Sequence, residues 1–248
     1  MSFNPDRINI HELTIEEPES KEKPEFLFDP SRLLSEDDWQ ALQMIAKQGD
    51  LYTNASIAIT DRKKLPEISA ETREDLLRSA KSGVADGHFQ NLAWAKYLSP
   101  ELTQVPVDVL DSGIEKDDQK ISELREKNDW RHLLEHVAWR TIIGHSPKLD
   151  AEDFNKMKEE FETQKSGEYL IEEGAAMSII YPDYPLKFSE ENSKKMESHL
   201  KRQIQNRTDG EWYLFIAMAK IVTDKCTEVA LRKPFNIETT PIPEIKKF

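Results

Sequence analysis

Apolar positions along this chain fall into a block that returns four times. Ala93-Trp94-Ala95-Lys96-Tyr97-Leu98 is echoed by Ala138-Trp139-Arg140-Thr141-Ile142-Ile143, by Ala175-Ala176-Met177-Ser178-Ile179-Ile180 and by Ala217-Met218-Ala219-Lys220-Ile221-Val222. Alanine opens each block, and two apolar residues close it at the fourth and fifth places after the alanine. The opening alanines are 45, 37 and 42 residues apart, the length of a helix–turn–helix repeat. Small residues in such a block let a neighbouring helix approach closely, and the large residues beside them fill the groove.

A more polar segment precedes each block and reads as the first helix of a pair. Most of these segments open on an apolar residue followed by Ser or Asp: Leu34-Ser35, Ile68-Ser69, Leu149-Asp150 and Phe188-Ser189. Such a side chain accepts from free backbone N–H groups of the first turn, which stabilises the helix by about 1 kcal/mol. The acidic residues that follow suit the positive end of the helix dipole. Leu34 with Trp39, and Leu149 with Phe154, stand at the spacing of a hydrophobic staple. In the third unit Ser112-Gly113-Ile114-Glu115 offers a capping box after a longer link, Glu101 to Asp111. One apolar anchor recurs in each segment: Leu42, Leu76, Ile121, Met157 and Met196. Lys148 to Gln164 also aligns without gaps on Lys187 to Gln203.

Polar turns part the two halves of each unit, at Gly49, Gly83 to Gly87, Asn128-Asp129, Ser166-Gly167 and Asp209-Gly210, and an aromatic residue follows each one. Gly and Asn accept the left-handed backbone that closes a helix. The predicted fold is all-α: a right-handed array of about five antiparallel helix pairs, α-solenoid-like, at 34–60, 68–100, 110–145, 149–182 and 188–232. Pairs of this kind bury their apolar faces only against neighbours, so an elongated stack is expected. The second helix of the first pair, with Ala55, Ile57, Ala58 and Ile59, has a weak apolar stripe and reads as an end cap with a wet outer face. Residues 1–30, with four prolines and many glutamates, read as a disordered acidic arm. The helical-repeat domain then spans 31–232, and 233–248 reads as an extended tail.

This pattern resembles the broad class of helical-hairpin solenoids, such as HEAT, armadillo and tetratricopeptide arrays. The Trp, Leu-Gly and Tyr signature of tetratricopeptide units is missing, as is the Thr-Pro-Leu-His of ankyrin units, and the unequal unit lengths are closest to HEAT-like arrays. The resemblance implies an architecture and assigns no functional residue.

The formal net charge is −13. That argues against non-specific nucleic-acid or anionic-membrane binding, which rest on Lys and Arg neutralising phosphates. Lys194, Lys195, Lys201, Arg202 and Arg207 gather near one helix, but Glu190, Glu191 and Glu197 lie between them, as on a solvated helix face. Cys226 is the single cysteine, so it can form no disulfide within the chain, and its apolar neighbours give it a packing role. No apolar run approaches a membrane span and no charged-then-apolar leader opens the chain, so a cytoplasmic location is expected.

One motif carries candidate chemistry. His132-Leu133-Leu134-Glu135-His136 matches the H-x-x-E-H pattern of inverted zinc proteases. Histidines at i and i+4 share a helix face and can hold one metal while the glutamate acts as base, with His145 as a third nitrogen ligand. The repeat alignment gives a different reading, because His136 falls opposite Asn91, Glu173 and Phe215, an ordinary slot two places before the alanine. We expect no catalytic, cofactor or metal site. Trp94 and Trp139 share a register that could stack a ligand, but Ala176 and Met218 occupy the same register, which favours core packing. The expected function is a non-enzymatic protein–protein interaction scaffold with a partner that the acidic surface would favour as basic. The alternatives are a metal-dependent hydrolase using His132, Glu135 and His136, and an acidic decoy for nucleic-acid-binding proteins.

Overall fold

The computed structural model describes residues 28–206 and 212–231. Its regular elements are all helical: α1 (Glu36–Lys47), α2 (Leu51–Asp61), α3 (Ala70–Lys81), α4 (Gln90–Leu98), α5 (Val107–Glu126), α6 (Trp130–Ile143), α7 (Ala151–Thr163), α8 (Gly167–Ile180), α9 (Glu190–Asn206) and α10 (Trp212–Leu231). Short 3-10 turns at Pro30–Leu33, Arg62–Lys64, Val84–Asp86 and Pro100–Thr103 occupy the connections. All five pairs stand where the repeat places them, within three residues at each end. The arm up to residue 27, the tail at 233–248 and the Asp209-Gly210 turn lie outside the described residues. The folded body reaches back to Phe28, which packs on the core, and to Pro30, which is buried.

Local chemistry sets most helix starts. Ser35 with Asp38, and Asp150 with Asp153, form reciprocal capping boxes. Ser69 and Ser189 each accept from the backbone N–H three residues on. The third unit differs from its sequence reading. Helix α5 begins at Val107, directly after Pro106, so Ser112 lies inside the helix and caps nothing. A proline's fixed φ suits the entrance to a helix. Gly113 sits mid-helix for a different reason: a Cβ there would lie 1.9 Å from the Val84 carbonyl oxygen. Its missing side chain lets α5 run against the Val84–Asp86 turn.

The five apolar anchors of the first helices, Leu42, Leu76, Ile121, Met157 and Met196, are each no more than 2% exposed. The opening alanines Ala93, Ala138, Ala175 and Ala217 are 1%, 4%, 3% and 0% exposed, so the repeated block is interior. Among the described elements, each first helix packs on the second helix of its own pair. The second helices meet one another in the order α2, α4, α6, α8, α10.

The array then closes on itself. Helix α10 packs on α2, and the Pro30–Leu33 turn packs on both α9 and α10. One hydrophobic cluster accordingly joins Trp39, Leu42 and Ile57 to Met196, Trp212 and Ile216. The second helices thus form a ring of five rather than an open row with two free ends. This overturns the reading of α2 as a wet end cap. Held between α4 and α10, α2 buries Leu51, Ala55 and Ile57 together with the polar Thr53, Asn54, Ser56 and Thr60. Asn54 is fully buried, and its amide donates to the carbonyls of Ala46 (2.7 Å) and Asp50 (2.8 Å). Among the described residues no helix is long and apolar enough to cross a membrane.

Candidate functional site

The ring helices line a cavity of about 210 Å³ that is partly open to solvent. Its wall comes from α4, α6, α8 and α10, and every lining residue is buried or half-buried. The repeat register decides which side chains face it. Counting from the opening alanine, position +1 contributes Trp94, Trp139, Ala176 and Met218, and position +4 contributes Tyr97, Ile142, Ile179 and Ile221. Position −3 contributes Gln90, Glu135, Glu172 and Leu214. Seven residues of helix separate the outer layers, so the cavity runs about 10 Å along the axis. It has a layer of three isoleucines and Tyr97 toward the C-terminal ends of the ring helices, a middle layer holding the two tryptophans and a mainly polar layer at the other end.

The polar layer is not balanced in charge. Arg131 Nη2 donates to Glu172 Oε2 at 2.7 Å, and its guanidinium lies 3.9 Å from the centre of the Tyr169 ring. Burial pushes the Glu172 carboxyl up, and Arg131 works against that. Burial also pushes Glu135 up, opposed by the charges of His132 and Arg131. Unlike Glu172, Glu135 has no hydrogen bond or ion pair among the described residues. Trp94 packs edge-on to Tyr52, with ring centroids 6.2 Å apart, and Tyr97 lies 6.4 Å from it.

At position −2, Asn91, His136 and Phe215 each touch the first helix of their own pair, and Phe215 also lines the cavity. Asn91 donates to Ser79 O at 3.1 Å and accepts from the Tyr52 hydroxyl. Phe215 packs on His199, with ring centroids 4.9 Å apart. His136 Nδ1 donates to Asp117 Oδ1 at 2.6 Å. Asp117, 2% exposed, also accepts from Arg140 Nη1 at 2.9 Å, and Arg140 donates further to Asp118 (3.1 Å) and to the His145 carbonyl (2.8 Å).

The H-x-x-E-H residues are therefore divided among three surroundings. His136 ties α6 to α5, and Glu135 lines the cavity. The exposed His132 holds Asp129 through Nδ1, at 2.8 Å from both carboxylate oxygens. His145 is exposed beyond the helix-ending Gly144. Among the described residues, no group of three or more His, Cys, Asp or Glu side chains is disposed to hold a metal ion. Trp94 and Trp139 do share one register, and they line the cavity as well as packing on their neighbours. Gln90 and Glu172 carry no motif. The signal that marks them is a polar residue three places before the alanine in three successive second helices.

Elsewhere the chemistry is structural. Cys226 is 7% exposed, and burial pushes its thiol up to about 11. Lys195 and Lys201 pair with Glu191 and Glu197, each at 2.7 Å, and Lys194 pairs with Glu190, as on a solvated helix face; Arg207 lies outside the described residues.

Glu173, also at position −2, is 2% exposed, and neither carboxylate oxygen has a hydrogen-bond partner among the described residues. Gln164 lies close by but commits its amide to Glu160, at 2.9 Å. Burial, then the charge of Glu160, pushes the Glu173 carboxyl up to about 8; Glu172 adds to this and Arg131 opposes it. The folded chain keeps a proton there that the unfolded chain has released, so Glu173 subtracts stability as pH rises from 4.5 to about 8. Glu173→Gln is expected to flatten that slope and to raise stability at pH 8 by about 2 kcal/mol, a figure set below the full linkage value because Arg131 and local relaxation screen the charge. Urea midpoints measured at pH 5 and pH 8 check this; parallel declines in parent and variant would refute it.

No family model, no curated protein and no solved structure matches this chain.

Proposed function

We propose that this chain is a non-enzymatic protein–protein interaction scaffold. In this reading, helix pairs of the HEAT, armadillo or tetratricopeptide kind progress in a right-handed sense until the array meets its own start, and a group projecting from a partner enters the axial cavity. The observation that supports it is the convergence of the repeated blocks on one cavity with a defined wall. Larger side chains at Ala138, Ala175 or Ala176 would fill the cavity, yet those positions are small. A space left open by small residues in this way suits an incoming group. The net charge of −13 favours a basic partner.

Ala176→Trp tests the reading, because it fills the cavity from a wall residue that is itself only 6% exposed. The expected result is an unchanged or higher melting temperature together with at least about a tenfold loss of partner capture. Partner retained equally by parent and variant would move the binding surface away from the cavity. No stable protein partner at all would remove the scaffold reading.

A further inference from the structure

We propose that the axial cavity is an ammonium site, taking a protonated amine on an apolar body with the cation at Glu135 and the body between Trp94 and Trp139. The identity of the partner group follows from this only if the scaffold reading holds; the site itself is defined by the cavity.

Three observations converge. The charged side chains of the cavity wall lie at one end only, where Gln90, Glu135 and Glu172 form a single layer, and the remaining wall is aromatic and aliphatic, with the Tyr97 hydroxyl as its uncharged polar group at the far end. A ligand that fits must therefore carry its charge at one end. The layer also has one carboxylate more than it has cations. Arg131 serves Glu172 at 2.7 Å, while Glu135 has no ion pair among the described residues, and the two remaining members of the register, Gln90 and Leu214, are uncharged. An apolar ligand would strand that carboxylate away from water, and an anionic one would be repelled by it. A cation relieves it. Finally, Trp94, Trp139 and Phe215 line the space next to that layer, and aromatic side chains both pack on an apolar body and attract an ammonium group. The axial length of about 10 Å accommodates a lysine side chain or a short alkylamine.

The probes are n-hexylammonium and n-hexanol, which share an apolar body and differ in charge. Each is titrated into the full chain, with binding followed by tryptophan fluorescence and ligand-observed NMR. The ammonium is expected to bind at least about tenfold more tightly than the alcohol. Glu135→Gln is expected to shrink that preference to less than about threefold while leaving the affinity for the alcohol in place. The proposal is overturned if the unaltered chain shows equal affinities, if neither probe binds at about 10 mM, or if Glu135→Gln keeps the full preference. The first two readouts need no variant, so a folding failure of Glu135→Gln leaves the test intact.

A blocked peptide with one lysine, and the same peptide with that lysine acetylated, separate the two sources of the cation. A lysine peptide that binds more tightly than hexylammonium, and only without acetylation, assigns the site to a projecting side chain. A free amine that binds more tightly assigns it to a small molecule. Either upholds the site. Partner capture that is sensitive to Ala176→Trp, but without an ammonium preference, would sink the site and leave the scaffold reading. Amine binding without any partner would do the reverse.

Discussion

Replacing Asp117 with alanine is expected to lower the unfolding free energy by about 3–5 kcal/mol. Asp117 is 2% exposed and accepts from both His136 (2.6 Å) and Arg140 (2.9 Å), so it fastens α5 to α6 from inside. Arg140 is itself 3% exposed. Without Asp117 its guanidinium keeps the outer Asp118 at 3.1 Å, the His145 carbonyl at 2.8 Å and the Phe89 ring, whose centre is 5.5 Å away. A buried charge that has lost its main partner costs far more than a surface ion pair contributes. Asp118→Ala is the control: Asp118 is the exposed partner in the same set, and its loss is expected to cost less than about 1 kcal/mol. Denaturant midpoints at unchanged slope measure both. Equal effects would mean that Asp117 is not the interior member of the cluster.

Gly113→Ala is expected to destabilise by about 3 kcal/mol, at the upper end of what overpacking costs. In an exposed helix interior the same exchange would stabilise by roughly 1 kcal/mol, because alanine is the better helix former. Here the new methyl would meet the Val84 carbonyl oxygen at 1.9 Å and the Phe89 ring at 3.2 Å. The first of these is backbone and cannot rotate aside, so α5 must move away from the turn it packs on. Gly144→Ala, at a helix end with φ of 89°, meets only the tip of Lys96 at 3.9 Å and so separates backbone strain from steric crowding. A Gly113→Ala chain as stable as the parent would show that the α5 contact is loose.

The sequence made the pairs legible, and it did so through local chemistry. A capping serine or aspartate, its acidic neighbours and a staple leucine act within one turn of helix, so Ser35, Ser69, Asp150 and Ser189 can be read without knowing what surrounds them. Where the local signal was ambiguous the reading slipped: Ser112-Gly113-Ile114-Glu115 has the form of a cap, but Pro106 starts the helix earlier and Gly113 serves a contact with Val84. The slot containing His136 was also readable from the alignment, because Asn91, His136 and Phe215 at position −2 each contact the first helix of their own pair.

Composition and periodicity therefore determined an all-helical chain of five pairs, the anchor of each first helix and the interior place of the repeated alanines. The tertiary structure decided that α10 returns to α2, that the polar residues of α2 lie inside, and that Glu135 and Glu172 share a cavity. The physical reason is distance along the chain. Caps act within one turn of helix, whereas the return of α10 to α2 rests on contacts between residues as remote as Asp50 and Tyr213. No local pattern encodes such a contact.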